Sequence, residues 1–190
     1  MGDPSDYIGH IDVVPPLNAD EMGYLQAFRE SRRFDRVTGP YDVPAVDDDV
    51  PSSRWARAAD GQPSLWCAWL PCADGCCLTV DSHDASEPAD WLRYLVRHFL
   101  RPGAVAHRIG GPRFAGFTFD HRLDGLVVGC RRDDQELFAI RAAHNRVSER
   151  VLRPGDRRHL DDAVLAAAAV DGGADAPGPN VIDLAARRRR

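Results

Sequence analysis

"FAGFTFDHRLDGLVVGCRRDDQELFAIR", residues 114–141, alternates apolar runs with turn residues, and where it is divided decides the fold. Asp124-Gly125 lies between two apolar runs, and this dipeptide accepts the positive φ angles that a two-residue antiparallel hairpin demands. "RRDDQ" (131–135) reads as a second turn. The stretch therefore predicts three short antiparallel strands.

Upstream of it, "RIGGPR" (108–113) is a Gly-Pro connection, and before that comes a helical period. Ser86 or Glu87 stands as cap and Pro88 falls in the first turn, where its missing N–H does no harm. Trp91, Leu92, Leu95, Val96, Phe99 and Leu100 form a broad apolar face, and "RPG" (101–103) stops the helix. Arg93, Arg97 and Arg101, four apart, line its outer side.

Further upstream, "SLWCAWLPCADGCCLTV" (64–80) reads as a hairpin. Leu65, Cys67 and Trp69 fall on one face of an extended segment, with Trp66, Ala68 and Leu70 on the other, so both faces are apolar as in a central strand. Asp74-Gly75 supplies the turn and "CCLTV" returns. At the start, "YIGHIDVV" (7–14) is a strand closed by Pro15-Pro16. Asn18 and Glu21 form a capping box, Leu17 and Met22 a hydrophobic staple, and a helix runs from Ala19 to Arg33, burying Met22, Leu25 and Phe28.

The order is β-α-β-β-α-β-β-β. It predicts an α+β domain, residues 1–153, with a ferredoxin-like βαββαβ core, an added β-hairpin, and an antiparallel sheet carrying both helices on one face. Residues 35–63 form a long Pro/Asp-rich loop that Tyr41 and Trp55 pin to the body. Residues 154–170 suggest a short Ala-rich helix, and 171–190 a disordered linker with an Arg-rich tail.

Composition narrows the function classes. The chain has 190 residues with 44% hydrophobic and 28% charged, which suits a globular domain. No apolar run is long enough to span a membrane, and "MGDPSDYIGH" lacks the basic and apolar regions of a signal peptide, so no membrane partner and a cytoplasmic setting are expected. All 24 basic residues are arginine, a bias attributed first to a GC-rich genome, and the net charge of −5 gives no global field to draw the protein to nucleic acid. Nucleic acid enters only through the tail.

Five cysteines without an export signal suggest reduced thiols. A zinc site is not expected. Cys67 lies between tryptophans, adjacent Cys76 and Cys77 point to opposite faces of a strand, and Cys72, Cys76 and His83 lack a fourth ligand. No cofactor and no catalytic residue follow from the remaining patterns: Asp120 and His121 face opposite ways in one strand, and "RIGGPR" neither follows a strand nor opens a helix as a phosphate cradle must. The binding candidates are Arg29, Arg32, Arg33 and Arg36 at the end of the first helix, Arg93, Arg97 and Arg101 on the second, and Tyr41. The two arginine groups form one basic patch if both helices share a face.

The runs "YIGHIDVVPPLNADEMGYLQAFRESRRF", "GPYDVP", "QPSLWCAWLPCADGCCLTV", "WLRYLVRHFLRPGA" and "FTFDHRLDGLVVGCRRDD" resemble a group of small uncharacterised actinobacterial proteins with phage-encoded relatives. The likeness covers residues 7–153, and its most specific part is the G-H-I-x-x-x-P-P-L start. It implies a source and a cytoplasmic setting, and brings no activity or site residue with it.

The leading expectation is a non-enzymatic module that binds an unknown protein partner, of undetermined oligomeric state. Two alternatives stay open. One is a small enzyme acting on a nucleotide or other anion, with Arg33 or Arg97 holding the substrate and a histidine or Cys72 reacting; a deep pocket joining such an arginine to His10, His83 or His121 would favour it. The other is a nucleic-acid-associated protein using the tail.

Overall fold

The computed structural model of the protein describes residues 5–44, 57–82 and 86–156. Two ten-residue strands, β1 (Ser5–Val14) and β4 (Arg122–Arg131), pair antiparallel along their whole length at the centre of the sheet. Around them lie β2 (Trp69–Pro71), β3 (Cys77–Val80), β5 (Leu137–Ala143) and β6 (Arg146–Arg153), giving one open six-stranded antiparallel sheet in the order β2-β3-β1-β4-β5-β6.

The continuity of β4 corrects the division made at Asp124-Gly125. The strand runs straight through that pair, with Ile11 opposite Gly125 and Asp12 opposite Asp124. Gly125 has φ +148°, and a Cβ there would stand 2.7 Å from the His10 carbonyl oxygen; a Cβ on Gly9 would stand 2.3 Å from that of Leu126. The two glycines thus serve a close approach of strands, a use that carries the same dipeptide as a turn. The turn at 131–136 falls where the sequence placed it, closed by Arg131 N–H to the Glu136 carbonyl at 2.9 Å. The next turn does not: His144 (φ 49°) and Asn145 (φ 67°) take positive φ and return the chain as β6, a strand absent from the sequence reading. The Asn145 amide holds that turn to the body, accepting from Leu123 N–H at 2.7 Å and donating to the His121 carbonyl at 2.9 Å.

Helix α1 (Ala19–Glu30) begins as expected, with both bonds of the Asn18/Glu21 capping box formed. It ends three residues early. The Ser31 hydroxyl donates to the Ala27 carbonyl at 2.8 Å, which draws the chain out of the helix and turns Arg33 inward. Helix α2 (Pro88–Leu95) continues into a single π-helical turn, Val96–Leu100, and a short α3 (Val105–Ile109) follows. All six apolar positions named for α2 are buried, together with Tyr94.

The expected central strand from Leu65 to Leu70 is a three-residue edge strand instead. Cys67, Ala68 and Trp69 are buried in succession, but of these only Trp69 joins the sheet, opposite Val80 of β3. That stretch is held by other bonds: the Leu65 carbonyl accepts from Arg33 N–H at 2.8 Å, and the Trp69 indole donates to the Pro88 carbonyl at 2.6 Å.

The core sits on one side of the sheet. Ile11 and Leu78, Val13 and Leu123, and Val127 and Ile140 face each other across the strands at 0–1% exposure, in one cluster with Leu25, Phe28, Leu92, Leu95 and Phe99 of the helices. Among the described residues, no helix is long and apolar enough to cross a membrane. Residues 45–56 of the expected loop, with Trp55, His83, the expected Ala-rich helix beyond residue 156, and the whole of the 171–190 linker and tail lie outside the described residues.

Candidate functional site

The arginines of α1 and α2 do not make one basic patch. Arg33 is 2% exposed: its guanidinium donates to the carbonyls of Ser31 and Asp42, each at 3.0 Å, and lies 4.2 Å from the Phe28 ring centre. Burial lowers its pKa to about 10, and its role is to tie residues 31 and 42 to the core. Arg29 pairs with Asp81, Arg32 lies over Trp66 at 5.5 Å, and Arg36 over Phe34 at 4.0 Å. These contacts spend the α1 group on the chain itself.

The α2 group is more open. Arg93, Arg97 and Arg101 are exposed, and Arg93 pairs with Asp90 one turn earlier at 2.5 Å. Arg93 and Arg97 border a shallow cavity of about 300 Å³ whose floor includes Tyr94, His98 and Gln62. His98 stands on the π-helical turn. Its ring stacks on Tyr94 with centroids 4.0 Å apart, and its Nδ1 meets the Tyr41 hydroxyl at 2.6 Å. Burial, aided by the Arg97 charge, holds His98 down to about 4, so the ring is neutral at neutral pH. Tyr41 thereby ties its segment of the chain to the π-helical turn. On its other side Thr38–Tyr41 and Ile109–Phe114 enclose a wider apolar cleft of about 540 Å³.

His121 is wholly buried, and so is Glu21. His121 Nδ1 meets the Pro15 carbonyl at 2.7 Å, and Nε2 lies 3.1 Å from Glu21 Oε1. The same carboxylate accepts from Thr118 N–H at 2.7 Å and from Asn18 N–H at 2.9 Å. Enclosed from solvent, this network is a strut between β1, α1 and the segment before β4. His10, by contrast, lies on the sheet's open face beside Asp12 at 3.2 Å. Neither His10 nor His121 lines the cavity beside Arg93 and Arg97 or the apolar cleft.

The cysteine turn departs from its sequence reading. Cys76 belongs to the turn and Cys77 opens β3, so strand alternation does not separate them; the sulfurs of Cys72, Cys76 and Cys77 all lie within 4.8 Å of one another. Cys72 and Cys76 Sγ are 3.5 Å apart, and the Cys77 amide donates to Cys72 Sγ at 3.2 Å. The neighbouring Cys77 thiol, then the Cys76 thiol and the amides of Cys77 and Asp74, outweigh burial and bring Cys72 down to about 7. Burial, with the Cys72 charge alongside, pushes Cys77 up to about 12. Cys67 is 1% exposed and is likewise pushed to about 12 by burial, as an inert core thiol should be.

Finally, among the described residues, one face of the sheet is bare. The residues of β1 that alternate with the core, Ile8, His10, Asp12 and Val14, are exposed, and so is Leu126 of β4. Ile8 pairs with Val128 and His10 with Leu126, so Ile8, Leu126 and Val128 form one apolar cluster across the two central strands. Its surroundings are charged: Arg132 grips Asp6, and Arg122 holds Asp124 at 2.9 Å.

No protein-family model, curated protein or solved structure matches this chain.

Proposed function

We propose that the protein is a non-enzymatic module that binds a partner protein, and that the partner sits on the bare face of the sheet. One observation carries this reading: Ile8 is 81% exposed and Leu126 50% exposed on strands that have neighbours on both sides. An exposed apolar cluster ringed by charged pairs has the anatomy of a protein interface, whose apolar centre is buried when the partner binds. Burying each of these side chains contributes about 1.5–3 kcal/mol, enough for two of them to decide whether a complex forms. A cytoplasmic setting goes with this reading.

The test is an Ile8→Asp, Leu126→Asp double variant. Native and variant chains, shown to melt alike, are immobilised and challenged with extract of the source organism; a protein retained by the first and lost by the second is then purified and its Kd measured. Equal retention by both chains overturns the reading. Concentration-dependent self-association that the double variant abolishes would make the partner a second copy.

The enzyme alternative draws support from the cavity beside Arg93, Arg97 and His98, which has the charge to hold a small anion. Calorimetric titration with inorganic phosphate and with ATP tests it, and heat that disappears in Arg97→Ala would favour it. The ferredoxin-like reading of the fold is supported by the order β2-β3-β1-β4, in which α1 crosses over β3 and α2 crosses over β1, with β5 and β6 added beyond β4.

A further inference from the structure

We propose that Cys72, Cys76 and Cys77 form a three-thiolate site for zinc(II) at the β2–β3 turn, with the fourth coordination position open to solvent or a small exogenous ligand.

The argument starts from spacing. Zinc binds thiolate sulfur at about 2.3 Å, so two sulfurs on one tetrahedral ion stand about 3.8 Å apart. The three sulfurs here already lie within 4.8 Å of one another, with one pair at 3.5 Å, and side-chain rotation closes the remainder. The turn itself is fixed. Cys72 N–H donates to the Cys77 carbonyl at 2.9 Å, and Gly75 N–H to the Cys72 carbonyl at 3.0 Å, so the backbone that carries all three ligands is set before any ion arrives.

Electrostatics point the same way. The Cys77 amide donates to Cys72 Sγ, a bond that favours the thiolate over the thiol. Asp74 stands within the turn and Asp12 directly across the ladder from Cys77, both adding negative charge near the ion. Soft sulfur donors select zinc over the harder magnesium and calcium. Each zinc–sulfur bond formed from a thiol releases one proton to solvent, so affinity rises with pH until all three sulfurs are ionised.

The expectation that the cysteines share no site rested in part on Cys76 and Cys77 diverging, and they converge; the fourth protein ligand it also found missing is the position left open here. Access also fits, since Cys76 is exposed and Cys72 and Cys77 are half-buried, whereas Cys67 is sealed in the core and Cys130 lies on β4. This inference is independent of the partner-binding reading.

The test uses the full chain, reduced and free of metal, titrated with cobalt(II) as a spectroscopic probe and then with zinc(II) against a chromogenic chelator. One cobalt per chain is expected, with a thiolate-to-cobalt charge-transfer band in the near ultraviolet and tetrahedral bands in the visible, both erased by zinc. Cys72→Ser, Cys76→Ser and Cys77→Ser should each weaken binding roughly 100-fold, one ligand's share of a thiolate zinc site. Cys130→Ser should leave it unchanged. Because Cys76 is exposed, its variant should keep the fold, and it decides the matter if Cys77→Ser does not. Absence of the charge-transfer band, including the case in which the chain prefers a Cys72–Cys76 disulfide and takes up no cobalt, overturns the proposal. So does native affinity in Cys76→Ser.

Discussion

Glu21 shows how one side chain can serve two scales at once. Its Oε2 completes the capping box, while Oε1 accepts from Thr118 and lies against His121, both about a hundred residues away. The amides of Asn18 and Thr118 both donate to charged oxygens. In Glu21→Gln one oxygen becomes an NH₂ group, and whichever way the amide is turned it faces the N–H of Asn18 or of Thr118. We expect a loss of about 2–4 kcal/mol from that buried mismatch, read as a lower urea midpoint at pH 7. The pH dependence has a definite sign. Burial raises the Glu21 pKa, but the amides of Asn18 and Thr118 and the His121 ring outweigh it and hold it below the ordinary value. The carboxylate therefore stabilises the fold fully above an unfolded pKa of about 4.3, and this is lost as pH falls through the lower folded value. The gap between native and variant midpoints should narrow between pH 5 and pH 3, in about that window; a constant gap would contradict the assignment. Only the capping half of this was legible in the sequence, because capping spans three residues and carries a local signal, whereas nothing near Glu21 announces Thr118 or His121.

At the scale of elements, local chemistry was readable wherever a short rule governed it. Asn18 is a case: its Oδ1 accepts from Glu21 N–H at 3.0 Å and its amide also reaches the Gly116 carbonyl at 2.8 Å. Asn18→Ala should cost about 1–2 kcal/mol, with the thermal midpoint as readout. Asp124-Gly125 is the opposite case, since a glycine that permits a turn also permits two backbones to come close, and only the length of β1 selects between them. Gly125→Ala separates the two uses. In a tight turn the alanine would be a modest strain, whereas in the strand its Cβ meets the backbone of β1, and we expect a loss of at least about 1–3 kcal/mol. Amide exchange of β1 and β4 should rise together in that variant. The missed β6 has the same origin: His144-Asn145 forms a positive-φ turn without glycine, and the strand after it is mostly exposed, so it lacks the apolar alternation by which strands are recognised.

For the molecule as a whole, the α+β class and the one-sided core followed from the apolar faces of the helices, while the candidate sites depended on distances that no sequence period encodes. Arginines at helical spacing looked alike on paper, yet Arg33 is interior and Arg97 is open. The open sheet also leaves β6 at one edge, and Arg146, Glu149, Arg150 and Arg153 load that strand with charge. Charged side chains on an edge strand discourage pairing with another copy. Arg146→Val with Arg150→Val should therefore increase self-association, seen as faster-sedimenting species at high protein concentration; a monomer distribution unchanged from native would show that the edge is guarded by something else.

The cysteine turn is clamped from outside itself: Val13 N–H donates to the Cys76 carbonyl at 2.8 Å and Leu17 N–H to the Gly75 carbonyl at 2.9 Å. Those two amides flank the corner where β1 gives way to α1, so the loosening or tightening of a surface turn is felt at the root of a helix. Deuterium uptake at Val13 and Leu17 becomes a remote gauge of what the three sulfurs hold, and an ion captured at the turn would be registered as slower uptake at two positions that never touch it.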